Sequence, residues 1–139
     1  MNKNSKSILY YLSLILPYLS IIILIPLGLF SKSYTGIGEQ WIHNYAGDIL
    51  IEIFLCVLLF ITLPKKLKKI QLIIIIVIIF TTIIEFSQLI QTPFLNQLRQ
   101  YFLGRLILGT TFSWLDFPCY ILGCILGGIW LRFLINLQD

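Results

Sequence analysis

The sequence predicts an all-α fold: a polytopic membrane bundle of four transmembrane helices with a short interfacial helix between helices three and four. Three observations carry this expectation. Of the 139 residues, 58% are hydrophobic and only 12% charged, with a mean hydropathy of +0.94. A water-soluble domain of this length needs more charge to cover its surface. Uncharged apolar runs recur at lengths that suit a hydrocarbon layer of roughly 30 Å. Finally, Lys65, Lys66, Lys68 and Lys69 are wedged between two such runs, where a cytoplasmic loop that fixes orientation accounts for them better than a phosphate-tracking stripe. Residues 1–139 read as one integral membrane domain, with membrane lipids as partners and no nucleic acid.

The first span covers about 8–30. Pro17 and Pro26 are expected to kink it, which membrane helices tolerate. Lys3 and Lys6 precede it as in a signal peptide, but the apolar stretch is long and lacks a small-x-small cleavage site, so a retained helix is expected. A polar connection, 31–45, follows, with Trp41 and Tyr45 as interface anchors. The second span covers about 46–63 and the third about 70–90. The isoleucine-rich centre of the third could be a strand by β-branching alone, but a lone strand leaves its backbone unsatisfied in lipid, so helix is predicted. Thr92-Pro93 is a helix start, with a capping hydroxyl and proline at the first helical position. It opens an interfacial segment, about 93–112, whose residues Phe94, Leu95, Leu98 and Phe102 oppose Asn96, Gln97, Arg99 and Gln100. Gly104 is expected to end that short helix, and the apolar stretch after it to dip into the protein without spanning. The fourth span covers about 114–134, with Gly123, Gly127 and Gly128 offering a face for close helix packing.

Chemistry is concentrated in few residues. Cys56, Cys119 and Cys124 lie in apolar segments, with no CxxC pair and no Cys/His cluster, so they are expected as free thiols and neither metal nor cofactor is expected. There is no GxSxG, no serine at a recognisable spacing from His43, and no glycine-rich phosphate loop. Of six acidic residues, Asp48 and Glu52 fall in the second span, Glu85 in the third and Asp116 at the head of the fourth. A charge at mid-bilayer costs about 2.5–3.5 kcal/mol or more, so such groups face the bundle interior and have partners. Glu52 is one turn below Asp48 on the same face. Gln88 and Thr92 are expected to stack above Glu85, and Arg99 and Arg105 to lie overhead. Asp48, Glu52, Glu85, Gln88, Arg99, Arg105 and Asp116 thus form a candidate site, with His43 at its mouth.

Three readings of this cluster stay open. Arg99 and Arg105 could pair with Glu85 and Asp116 as a purely structural ion-pair cluster. The cluster could bind an amphiphilic or lipid-linked ligand, with arginines holding a phosphate and a carboxylate serving as acid or base. Or it could carry protons in a small proton-coupled transporter. Four helices are few for alternating access unless the protein forms a homo-oligomer, and the sequence contains no internal repeat. The reading taken forward is ligand binding, without a named reaction.

The string Glu85-Phe86-Ser87-Gln88-Leu89, Leu98-Arg99, Leu103-Gly104-Arg105, Leu108-Gly109, Phe112-Ser113-Trp114-Leu115-Asp116, Tyr120 and Gly123, with Gly47-Asp48 before it, resembles a family of small bacterial membrane proteins of unknown function. Some members are labelled YjgA, and the family is distantly similar to VanZ-like proteins. The resemblance covers roughly 47–128. It implies a four- or five-helix membrane protein of the bacterial envelope; VanZ-like proteins are linked to glycopeptide tolerance. Their Glu-x-x-Gln pair and aspartate match Glu85, Gln88 and Asp116, while their asparagine and second-span histidine are replaced here by Tyr120 and Glu52.

Orientation follows from counting bases. With the N-terminus inside, Lys3, Lys6, the four loop lysines and Arg132 lie inside and Lys32, Arg99 and Arg105 outside, seven against three. Both termini are therefore expected in the cytoplasm of a bacterium, with the protein in the inner membrane. A reporter that fluoresces only in the cytoplasm, fused after Asp139, is expected to be bright; a dark fusion would reverse this topology.

Overall fold

A computed structural model describes residues 3–64, 69–109 and 111–137. Among them every regular element is helical. Helix α1 is Lys3–Ser33, α2 Glu39–Trp41, α3 Gly47–Thr62, α4 Ile70–Ser87, α5 Pro93–Gln100, α6 Phe102–Leu108 and α7 Asp116–Asn136. A π-helical turn, Ile42–Ala46, joins α2 to α3 without a break, so these form one rod. Four helices are long and apolar enough to cross a membrane: Tyr10–Ser33 within α1, the rod Glu39–Thr62, α4 and α7. Lys65, Lys66 and Lys68 of the lysine group, together with Thr110 and Asp139, lie outside the described residues.

The distribution of side chains is the reverse of a soluble domain's. Ser13, Ser31, Glu52, Thr81, Glu85, Gln88 and Arg99 are buried, while Ile23, Ile79, Ile83 and Ile129 are exposed. That arrangement suits hydrocarbon, where apolar surface has no reason to hide and polar groups must find partners inside. Several do so locally: Ser13 donates to Tyr10 O at 2.7 Å, Ser31 to Gly28 O at 2.7 Å and Thr81 to Val77 O at 3.0 Å. Helix α1 continues through Pro17 and Pro26. It is tied to α7 by the Trp130 indole, which donates to Ser20 Oγ at 3.0 Å.

The contacts give an up-down-up-down order. Lys32 and Ser31 at the end of α1 meet Gly47 at the start of α3. Ile49 and Glu52 face Gly123, and Ile53 and Cys56 face Gly127, so α3 and α7 run the same way. Glu85 meets Tyr120 while Ile74 meets Gly128, so α4 runs against α7. The apolar core of Cys56, Val57, Phe60, Ile73, Val77, Cys124, Leu131 and Leu134 fills the other end of the bundle.

Several element boundaries differ from the sequence reading. The 31–45 connection shrinks because Gly38, at φ 77°, reverses the chain in a left-handed conformation and lets Glu39 start a helix with its acid at the positive end. Helix α4 stops at Ser87 rather than 90, so Thr92 does not stack over Glu85. It caps α5 instead, accepting from Leu95 N at 3.3 Å with Pro93 in the first turn. The interfacial segment is two helices broken at extended Tyr101. Gly104 does not end the first; it lies inside α6, where a Cβ would collide with the Leu98 carbonyl. Gly109, at φ 62°, ends α6. On α5 the polar face is also turned from expectation: Arg99 is buried, whereas Phe94 is exposed.

Gly123 is the point of closest approach between α3 and α7. A Cβ there would lie 2.6 Å from Glu52 Cβ and 2.8 Å from Ile49 O, the latter unable to swing aside. Gly123→Ala is expected to lower stability by about 1–3 kcal/mol through overpacking. Gly28, with nothing within 4 Å of its would-be Cβ, is the control: Gly28→Ala is expected to raise stability by about 0.4–1 kcal/mol. Thermal unfolding of the detergent-solubilised protein would check both signs.

Candidate functional site

The ends of α1, α4 and α7 meet the upper half of the rod Glu39–Thr62 at one end of the bundle, and each brings a polar group. Asp48 is in the first turn of α3 and Asp116 in the first turn of α7. Glu85 and Gln88 are at the end of α4. Helix α1 contributes Lys32, and α6, lying across this end, contributes Arg105.

Glu85 organises the floor. Fully buried, it accepts from Ser113 N at 2.8 Å on Oε1, and from the Tyr120 hydroxyl at 2.7 Å and Gln88 Nε2 at 3.1 Å on Oε2. These three donors satisfy the carboxylate without a cation. The expected pairing with an arginine is not made. Arg99 donates through Nη2 to Ser87 O at 2.9 Å and through Nη1 to Ile90 O at 3.3 Å and Asn96 Oδ1 at 3.4 Å. These carbonyls are freed where α4 ends, and a guanidinium is a favourable cap at the negative end of a helix. Arg99 therefore clamps α5 to α4 and stands outside the cavity. The aromatic rings of Phe86, Phe112, Trp114 and Phe117 brace the same junction, with Phe112 and Trp114 edge to face at 5.0 Å.

Above this floor is a cavity of about 820 Å³. Of the candidates, Asp48, Gln88, Arg105 and Asp116 line it, with Lys32, His43 and Tyr120. Asp48 and Asp116 repel one another across it, and Lys32 attracts both. The Ser113 hydroxyl stands beside Asp116. Lys32 donates to His43 O at 2.7 Å. The His43 ring, 2.7 Å from Tyr34 O, must donate through Nε2 because a carbonyl only accepts; in a neutral ring this leaves Nδ1 as an acceptor. The π-helical turn carries His43 and Asn44 to the cavity wall, a local distortion often found at functional sites.

Gln88 contributes an unmet demand. Its Nε2 is committed to Glu85, which fixes the amide's orientation, and its buried Oε1 has no partner among the described residues. Gly109 packs so closely on this amide that a Cβ would collide with Nε2.

A second space, of about 580 Å³, runs as an apolar furrow between α1 and α3, lined by Leu24, Ile25, Gly28, Leu29, Leu50 and Phe102 among others. It shares Lys32, Asp48, Ile51, Phe54, Arg105 and Gly109 with the polar cavity. Lys32 was legible only as an outer base, and the furrow left no pattern in the sequence, since its residues come from separate helices.

Glu52 is set apart from both spaces. It is fully buried against Gly123, one turn below Asp48. Its Oε2 accepts from the Cys124 thiol at 3.1 Å and the Thr81 hydroxyl stands beside the carboxylate, while Oε1 has no hydrogen-bond partner within 3.5 Å among the described residues. Burying a polar atom without a hydrogen bond costs about 1–3 kcal/mol. Glu52→Met, which keeps an unbranched side chain, is therefore expected to stabilise the fold by up to about that amount. A fall in the unfolding temperature would show that Glu52 holds the bundle together.

No solved structure matches the chain. A family model described as "Protein of unknown function (DUF2809)" matches residues 37–124, a stretch that holds every candidate site residue from Asp48 to Asp116 and leaves out Lys32. That description carries neither the YjgA nor the VanZ-like name. With more than half of its length matched, the chain belongs to this family of unknown function.

Proposed function

We propose that this membrane protein binds a single amphiphile, with the polar head in the cavity beneath α6 and the apolar chain along the furrow between α1 and α3. The observation that carries this is the junction: the cavity that holds the polar groups and the apolar furrow share Lys32 and Arg105, together with Asp48. A lipid presents that order of chemistry, with an anionic group between chain and head, and Arg105 is suited to hold a phosphate by paired hydrogen bonds. The bias of basic residues supports placing this end on the outer face of a bacterial inner membrane, with both termini inside. The role is binding or presentation of an envelope lipid rather than turnover.

Proton passage has one observation in its favour, the unpaired oxygen of Glu52 one turn below Asp48. Below it, however, Cys56, Val57, Phe60, Ile73 and Val77 form an apolar core with no carboxylate or imidazole among them. Binding is the better-supported reading.

Native mass spectrometry of the protein released from detergent tests the binding reading. The wild type is expected to retain one lipid. Gly28→Phe, which fills the furrow one helical turn from Lys32 without removing a polar side chain, is expected to lose it while the unfolding temperature stays within a few degrees. Arg105→Ala is expected to weaken retention about tenfold, the worth of a charge-assisted hydrogen bond. Retention equal in all three proteins would refute the reading.

A further inference from the structure

We infer that the amphiphile is a two-chain phospholipid that straddles α3, with one chain in the furrow against α1 and the other in a groove against α4; this rests on the amphiphile reading above. The cavity is not polar throughout. Its wall continues below Asp48 along Ile51, Phe54 and Leu55 of α3, and below Gln88 along Ile84 and Phe80 of α4. Thr81, also on this wall, turns its hydroxyl back to Val77 O at 3.0 Å. From Asp48 to Leu55 this apolar groove is about 10 Å deep, at the rise of an α-helix. The furrow descends on the other side of the same helix, along Leu50. Five residues separate Leu50 from Leu55, which turns them about 140° from one another around α3. Ile51 and Phe54 fall between them and line both spaces. They form a ridge on the outward side of α3, opposite the buried Glu52, Cys56 and Phe60.

The apolar clefts on the two sides of this ridge meet at its upper end. One chain fills one side only. A lipid that branches into two chains below its phosphate fills both while its head stays in one place. Lys32, Arg105 and Asp48 line both spaces, so a phosphate at the branch meets two cations against one carboxylate.

The test is photo-crosslinking with phosphatidylglycerol that carries a diazirine in both acyl chains. The probe is added in equimolar amount to the delipidated protein in detergent. Native mass spectrometry counts the bound lipid, and peptide mapping locates the adducts. One lipid per protein is expected, with adducts both in the 24–29 stretch of α1 and in the 80–84 stretch of α4. Lysophosphatidylglycerol with one diazirine chain is expected to label the α1 side and leave the α4 side unlabelled. Ile84→Trp fills the α4 groove without removing a polar side chain, and is expected to lose the α4 adducts of the two-chain probe while keeping those on α1. Adducts of the two-chain probe on α1 alone would overturn the two-chain inference and leave the amphiphile reading standing. So would α4 adducts that persist undiminished in a folded Ile84→Trp protein; if that variant does not fold, the wild-type map decides alone. No bound lipid would overturn both readings. Adducts spread as densely over the outward Ile121 and Leu122 of α7 would identify annular lipid only, and would also overturn both.

Discussion

The carboxylate of Glu85 joins the spanning bundle to the chain that crosses its end. Its three donors come from the end of α4, from the turn before α7 and from the first turns of α7 itself. Each bond has a structural consequence. Ser113 N fixes where the crossing segment returns to the bundle. Tyr120 fixes the rotation of α7, and one turn further along the same face Gly123 and Cys124 are set against Glu52. Gln88 is held by its Nε2, which leaves its buried oxygen without a partner among the described residues. A buried carboxylate in hydrocarbon must be satisfied from within the protein, and the need to satisfy this one orders the whole end of the molecule.

Glu52 shows how much the surroundings matter. Both glutamates are fully buried, but Glu85 has three donors spread over both oxygens, whereas Glu52 has the weak Cys124 thiol and the Thr81 hydroxyl and keeps an oxygen unpaired among the described residues. Glu85 is therefore an element of architecture, and Glu52 a cost that packing between α3 and α7 must offset. The glycine face of α7 supplies that packing: with no side chain at Gly123 and Gly127, the two helices approach closely along the length that flanks Glu52 and Cys56.

The four spans were legible because hydrocarbon imposes a length and a composition, and both are visible in a linear chain. That Glu52 lies one turn below Asp48 was legible for a similar reason, helical periodicity, but not that Asp48 alone of the two would line the cavity. Helix ends were not. Gly38, the π-helical turn and extended Tyr101 each decide a boundary through backbone conformation, which residue type only biases. The partners of Arg99 were hidden for the same reason. An arginine near both a carboxylate and a helix end chooses according to where that helix stops. Placing the end of α4 at 90 instead of Ser87 hides the freed carbonyls that Arg99 caps. The furrow was illegible for a different reason: Leu24, Leu50 and Phe102 meet only after three helices have been placed.

The two arginines of the crossing segment end in opposite environments although they are six residues apart. Arg99, on α5, is buried and bound to α4; Arg105, on α6, is exposed and lies over the junction of cavity and furrow. The break at Tyr101 separates these fates by letting α6 leave the axis of α5, and the close seat of Gly104 on the Leu98 carbonyl holds the angle. Arg99 thereby positions Arg105 without touching the cavity. One guanidinium anchors the arm and the other lies exposed on the wall shared by cavity and furrow, which is where a site needs a cation if it is to meet a ligand.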